Sequence, residues 1–390
     1  MKVLQIRGEK KLSFLKMIFK ELKNTIFDRD VILLISLGSI FLTLLFGGVY
    51  INSYIEDIPV AILDEDNSSL SRMIVQQFGD DDRFDLTYHI NTREELKDLI
   101  DSRRVHMGVY IPPNFSKDVM TLESSDVLIL VDGTNMVVGN NAYAQAVSII
   151  QTIAAGTQIK LIEAKGIVPS LSYNVAMPFQ FTDRMLYDPK MTYMNYLIVG
   201  FIGIFLQQVM FSGVGISVVK GGEYFAGKNT IKKLVPKVIA LAILALSSMC
   251  IAIHIAQRVF NVPIRGSIGI GLLFAFVFIL AITCPAIILA SIVKDKLKFA
   301  QISYMLSLPT FAASGYLWTI DQLPAPMVAV YKCLWPLIYF VRPFDEVMVK
   351  GLRFEMIKGN IYGLLLYTLI WMPIAIFILK KRYKSTECTN

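Results

Sequence analysis

The chain has 390 residues, 54% apolar and only 18% charged, with a mean hydropathy of +0.54; ordinary globular chains carry roughly 25% charged residues, so a wholly water-soluble protein is disfavoured. Its 38 Lys and Arg exceed 31 Asp and Glu by +7, but residues 52–190 hold 20 acids against 11 bases and the remainder 11 acids against 27 bases. Charge segregated in this way is a topology signal, and it removes nucleic acid from the expected partners.

Residues 1–30 read as a basic amphipathic arm, with Leu12, Leu15, Ile18, Phe19, Leu22 and Ile26 on one helical face, as an interfacial helix requires. A bilayer core about 30 Å thick needs about 20 apolar residues of helix, and six stretches meet that length. The first is 31–50, a permanent anchor rather than a cleaved signal, because its apolar run is long and no small-residue cleavage pattern follows. The other five, within 192–380, are Thr192–Val219, Val238–Ala256, Ser267–Val293, Phe299–Trp318 and Gly359–Leu379, and a basic tail at 381–390 ends the chain. Twenty Lys and Arg fall in the arm, the second-to-third loop, the fourth-to-fifth loop and the tail, so both termini are expected in the cytoplasm and 52–190 outside.

Within 52–190 the apolar runs shrink to strand length and alternate with helical patterns, which reads as an α/β domain. Strands are expected at Ile58–Leu63, Phe84–Ile90, Val105–Ile111 and Val127–Val131. Asn67 or Ser68 caps a helix running through Phe78, Thr92-x-x-Glu95 opens another to Arg103, and a longer one runs from Met136 to Ala164, stopped by Gly166 and Pro169. Whether the sheet is parallel or mixed is not readable. The acidic clusters Asp64-Glu65-Asp66 and Asp80-Asp81-Asp82 lack the glycine and distal glutamate of an EF-hand loop and are expected to be helix-flanking turns.

No catalytic constellation stands out. Cys250, Cys284, Cys333 and Cys388 lie far apart with no CxxC pair, and His89, His106 and His254 are scattered, so neither a disulfide scaffold nor a thiolate or histidine metal site is expected. The loop Gly222-Glu223-Tyr224-Phe225-Ala226-Gly227-Lys228-Asn229-Thr230 misses a phosphate-cradling GxxxxGK[ST] pattern at Asn229, and it follows a membrane span where a P-loop needs a strand. Gln207 and Gln208 sit mid-span, where an unpaired amide is costly, so they pack against neighbouring helices or line a wet path. Pro324, Pro326, Pro336 and Pro343 break a partly apolar stretch containing Tyr339, which reads as an outer re-entrant region or an external loop.

Several local sequences share an order with one known family. They are Phe19-Lys20-Glu21-Leu22-Lys23 followed by Asp28-Arg29-Asp30; Pro59-Val60-Ala61-Ile62-Leu63-Asp64 with Ser68-x-x-Ser71; Ile111-Pro112-Pro113-x-Phe115; and Val131-Asp132-Gly133-Thr134. Ala313-Ser314-Gly315-Tyr316-Leu317-Trp318 with Leu323-Pro324, and Pro336-Leu337-Ile338-Tyr339, follow. Together they resemble the permease subunit of a type-2 ATP-binding cassette exporter, in the subgroup with a large extracytoplasmic domain after the first helix. In the loop, Glu223 and Gly227 fit the family's E-x-E-x-G-T pattern, while Phe225 and Lys228 replace its second acid and its threonine.

The resemblance implies an α-helical membrane protein of six transmembrane helices with an inserted α/β extracytoplasmic domain, in a bacterial inner or plasma membrane. It implies export of an amphipathic, drug-like or lipid-like substrate, powered by a separate ATPase subunit that binds ATP and Mg; this chain is expected to be no enzyme and to bind no cofactor or metal itself. Glu21, Lys23, Glu223, Gly227 and Lys228 are expected at the ATPase contact. A second permease protomer, identical or related, and membrane lipid complete the partners, with or without a periplasmic adaptor. The competing expectation is a non-transporting receptor or phage-attachment protein that uses the external domain.

Overall fold

The computed structural model describes residues 14–33, 38–51, 55–179, 184–188, 192–221, 225 and 229–387. The chain divides into two compact units, one of Met1–Ile51 with Met185–Asn390 and one of Asn52–Arg184.

The first unit opens with α1 (Phe14–Phe27), the short turn α2 (Arg29–Ile32) and α3 (Gly38–Val49). In α1 the amphipathic face is turned outward: Leu15, Phe19 and Ile26 are exposed while Glu21 and Thr25 are buried. An apolar face left open beside a polar seam is the arrangement of a helix lying in a membrane interface.

The second unit runs β1 (Ile58–Asp64), α4 (Ser69–Gly79), β2 (Phe84–His89), α5 (Arg93–Asp101), β3 (Met107–Ile111), α6 (Phe115–Met120), β4 (Leu128–Val131), α7 (Met136–Ala164) and α8 (Pro169–Ala176). The sheet order is β2-β1-β3-β4, with β1 parallel to β2 and β3 and with β4 antiparallel to β3. The sheet is therefore mixed, which the sequence left open. Central β1 and β3 are covered on both faces, which is why they read as continuous apolar runs. Val60, Ile62, Val109 and Ile111 share a core with Ile74 and Phe78 of α4 and Ala142 and Ala146 of α7. Ala61, Leu63 and Tyr110 share another with Leu96 and Leu99 of α5. Gly166, at φ +86°, ends α7 where a side chain would be strained.

Of the two capping residues expected for α4, Ser68 serves, accepting from the Ser71 amide at 3.1 Å. Ser71 returns the contact, its hydroxyl accepting from the Ser68 amide at 2.9 Å and donating to Asp64 Oδ2 at 2.7 Å. At α5 the Thr92 hydroxyl accepts from the Glu95 amide at 3.2 Å, but the Glu95 carboxylate accepts from Asn91 rather than Thr92. Because Ser71 is fully buried, Ser71→Ala is expected to cost about 1–2 kcal/mol. Hydrogen exchange on the full chain should show faster exchange across 69–79 and little change in α7; unchanged protection of α4 would refute this.

The first unit resumes with α9 (Tyr193–Lys220), α10 (Thr230–Arg258), α11 (Ile268–Ile292) and α12 (Lys296–Ala312). A 3-10 turn (Ile320–Gln322), α13 (Ala325–Leu334) and a second 3-10 turn (Pro336–Tyr339) lead to α14 (Val341–Asp345), which runs into a π-helical turn (Glu346–Lys350) before α15 (Phe354–Glu387). Among the described residues, four helices are long and apolar enough to cross a bilayer: α9, α10, α11 and Phe354–Arg382 of α15. They correspond to the second, third, fourth and sixth expected spans. α3 covers 12 residues of the first span, whose positions 34–37 lie outside the described residues. α12 is a 17-residue helix that stops at Ala312, short of the expected Trp318, because the chain bends away through Gly315 at φ +82°.

α9 is the centre of this unit, with every residue from Ile202 to Val218 buried. Its neighbours include α3, α10, α11 and α12. α15 is its opposite, leaving Tyr362, Leu366, Leu369 and Phe377 exposed along most of its length, as a helix with lipid for solvent can.

Candidate functional site

Three constellations in the first unit, with a tyrosine pair near the start of α9, gather several of the residues singled out by sequence. The first lies halfway along α9. Gln207 donates to Thr310 Oγ1 of α12 at 3.3 Å and accepts from the Trp335 indole nitrogen at 2.7 Å. Gln208 donates to Ser212 and to Ser303 of α12, both at 3.0 Å, and those two hydroxyls are 2.8 Å apart. Both amides are thus buried and bonded between elements, the arrangement that compensates polar groups at membrane depth. Sequence reasoning missed Trp335, Thr310 and Ser303; the seven-residue spacing of Ser303 and Thr310, which puts both on one helical face, is the signal that marks them.

The second constellation is the turn that ends α13. A helix leaves its last four carbonyls without intrahelical partners, and here side chains cover three of them: Tyr339 donates to the Lys332 carbonyl at 3.2 Å, Trp371 to Cys333 at 2.9 Å and Tyr367 to Leu334 at 2.8 Å. Asn360 of α15 donates to the Tyr339 carbonyl at 3.1 Å. Tyr367 lies 13 residues into α15 and Gln207 lies 14 residues into α9, about 20 Å along each helix at 1.5 Å per residue. Two long helices therefore hold the 332–335 turn at matching heights near their midpoints. Pro336 is buried beside it with Leu337 and Ile338.

Near the start of α9, Tyr196 and Tyr316 stack with centroids 5.3 Å apart. Tyr196 donates to the Tyr316 carbonyl at 2.6 Å, and the Tyr316 hydroxyl bonds the Tyr196 carbonyl and reaches Asp345 at 3.4 Å. Gly200 leaves the space this ring needs, since a Cβ there would overlap it.

The third constellation fastens the arm. Lys237, near the start of α10, lies 3.5 Å from the Glu21 carboxylate and donates to Thr25 Oγ1 at 3.1 Å. Lys220, at the end of α9, donates to both Asp28 oxygens at 3.0 and 3.1 Å. Glu21, Asp28, Lys220 and Lys237 line a 270 Å³ cavity with Asn24, Ser217, Gly221 and the buried Phe225. The i, i+4, i+7 spacing of Glu21, Thr25 and Asp28, which sequence reasoning passed over, is the signal that marks this seam. Glu21 thus faces inward and Lys23 is exposed, while Glu223, Gly227 and Lys228 lie outside the described residues.

The Glu21–Lys237 pair is only 11% and 14% exposed at its side chains, so losing one member leaves charge in a poorly hydrated place. Glu21→Leu is expected to cost about 1–3 kcal/mol, below the 3–5 of a fully buried pair. Combining it with Lys237→Met is expected to recover part of that loss. The melting midpoint of the detergent-solubilised chain reads both; strictly additive losses would refute the coupling.

In the second unit the acidic clusters are structural turns. Asp64 Oδ1 accepts from the Asp66 and Asn67 amides, both at 3.0 Å, and Asp66 accepts from Ser116 at 3.1 Å, pinning the start of α6. Asp132 accepts from the Thr134 amide at 2.9 Å, which holds its carboxyl below the usual carboxylate value, with His106 4.0 Å away. Burial first, and then the hydrogen bond to Glu65, raise the Tyr110 phenol. Among the described residues no group of three or more His, Cys, Asp or Glu is placed to hold a metal ion.

Long apolar helices around a buried polar centre, with a charged latch at one end, define an integral membrane protein of the permease kind. The chain belongs to the ABC-2 family of transporter proteins, which it matches over residues 29–377, and it is a permease component of an ABC transporter, which implies an ATPase partner. It is similar to the probable multidrug ABC transporter permease YbhR of Escherichia coli K12, 20% identical over 79% of this chain and 82% of that protein. It is likewise similar to the inner membrane transport permease YhhJ of the same strain, 24% identical over 83% and 85%, and to the probable multidrug permease YbhS, 21% identical over 85% and 87%.

Proposed function

We propose that this chain is the membrane-spanning subunit of an ATP-driven exporter, one that moves an amphipathic, drug-like or lipid-like compound out across an inner membrane. Six helices span the bilayer in this reading, α3 and α12 completing the four longer ones, with both termini in the cytoplasm and Asn52–Arg184 outside. The partner ATPase binds ATP and Mg, and a second permease protomer closes the path, with or without a periplasmic adaptor.

The observation that carries the proposal is the double ion latch of α1 onto the ends of α9 and α10. These helix ends flank the loop 221–229, so a push on the loop reaches the arm and the buried centre of α9 as one movement. The names of the relatives support a drug-like cargo. The 332–335 turn is a re-entrant segment in this reading, since its carbonyls are covered as hydrocarbon requires.

The test is co-purification of the tagged full chain with an ATPase, followed by reconstitution in liposomes with an amphipathic fluorescent dye. ATP-dependent dye movement that is lost on Glu223→Ala is the expected result. A chain that purifies without an ATPase and leaves dye distribution unchanged would overturn the proposal.

A further inference from the structure

The second unit contains a cavity of 660 Å³, within the 300–1,000 Å³ of small-molecule sites. Its floor is Leu70 and Ile74 of α4 with Phe115 of α6, all buried, and its far wall is Ile150, Ile153 and Leu161 along α7. The remaining side is the loop 122–127, where Glu123 and Asp126 stand exposed at the rim beside Ser124 and Ser125. No Lys or Arg is among the lining residues. The loop is held by Leu122 at φ +63°, a left-handed conformation that a leucine rarely adopts and that persists only where its surroundings enforce it.

An apolar floor takes the body of a ligand, and carboxylates at the rim with no competing base select its charge. We infer that this cavity is a binding site for amphipathic organic cations, the apolar part seated on Leu70, Ile74 and Phe115 and the cationic centre facing Glu123 and Asp126. The site lies wholly within the second unit and does not depend on which molecule crosses the membrane.

Tetraphenylphosphonium and tetraphenylborate, alike in shape and opposite in charge, are the probes, titrated calorimetrically into the full chain in lipid nanodiscs without ATP. The expected result is saturable binding of the phosphonium, weakened about tenfold by combined Glu123→Gln and Asp126→Asn, a loss of about 1.4 kcal/mol. Ala154→Trp, from an exposed position on the α7 wall, should abolish it. Phosphonium binding that neither variant changes would place the probe in lipid or in the first unit and overturn the inference. Equal occupancy by tetraphenylborate in competition would overturn it too, as would absent binding with a particle mass that falls on Ala154→Trp, which assigns the groove to a second copy of this chain. If Ala154→Trp fails to fold, the isosteric double variant decides alone. Because no ATPase or efflux is measured, failure here leaves the exporter proposal untouched.

Discussion

Gly266→Ala is expected to be severely destabilising. The link between α10 and α11 runs so close to the π-helical turn that the amides of both Arg265 and Gly266 donate to the Met348 carbonyl, at 2.9 and 3.0 Å. A Cβ on Gly266 would overlap the Val347 carbonyl oxygen and lie 2.8 Å from its carbon and 3.1 Å from Met348 Cα. These are backbone atoms, so no rotamer change relieves the clash. The neighbouring Val347 and Met348 are buried in the same core as Phe344 and Phe274, which keeps the turn from retreating. A cost of about 3 kcal/mol or more is expected, seen as a steep loss of monodisperse full-length protein on heating. Gly269→Ala, three residues on, is the control: its Cβ would meet nothing nearer than Ser267 Oγ at 3.7 Å, and wild-type behaviour is expected. Equal behaviour of the two variants would refute the account.

The second large effect is expected at Trp335, where two contributions can be separated. Its indole nitrogen bonds Gln207, and its ring packs against Phe211 with centroids 5.4 Å apart. Hydrogen bonds between membrane helices average about 0.6 kcal/mol, with a maximum near 1.7, whereas truncating a large buried aromatic ring to alanine costs about 3–5 kcal/mol. Packing therefore outweighs the bond. Trp335→Phe should lower the melting midpoint slightly and Trp335→Ala severely, though the half-buried ring puts the latter at the low end of its range. Adding Gln207→Leu to Trp335→Phe should restore most of the small loss, since removing both partners of a buried bond is nearly neutral. Matching losses in the Phe and Ala variants would show that the bond, not the ring, fixes the turn.

The sequence was legible wherever structure is decided locally. Met136–Ala164 was bounded at its end by Gly166 and Pro169, and the structure has the same helix; Phe84–Ile90 and Val127–Val131 each differ from their strands by one residue. The apolar spans were legible as far as length suffices. What escaped is set by partners distant in the chain. Gln207 was conspicuous as a mid-span amide, but Thr310 and Trp335 lie 103 and 128 residues away, and no local pattern pairs them. Glu21 was placed at the ATPase contact by its motif alone; its burial against Lys237 of α10 was not readable, because a helical wheel assigns faces without saying which one meets protein. The place of β1 between β2 and β3 was unreadable for the same reason, since pairing joins residues from separate parts of the chain.

A helix enclosed on every side has no margin. Most membrane helices, like α15, have a tolerant stripe where side chains end in lipid and one apolar residue serves as well as another. From Ile202 to Val218, α9 has no such stripe: each of its residues is someone else's wall. The glycines and serines in that stretch are therefore measurements of the gaps around it, and a drift in any of the surrounding helices has to be answered by a matching change on α9.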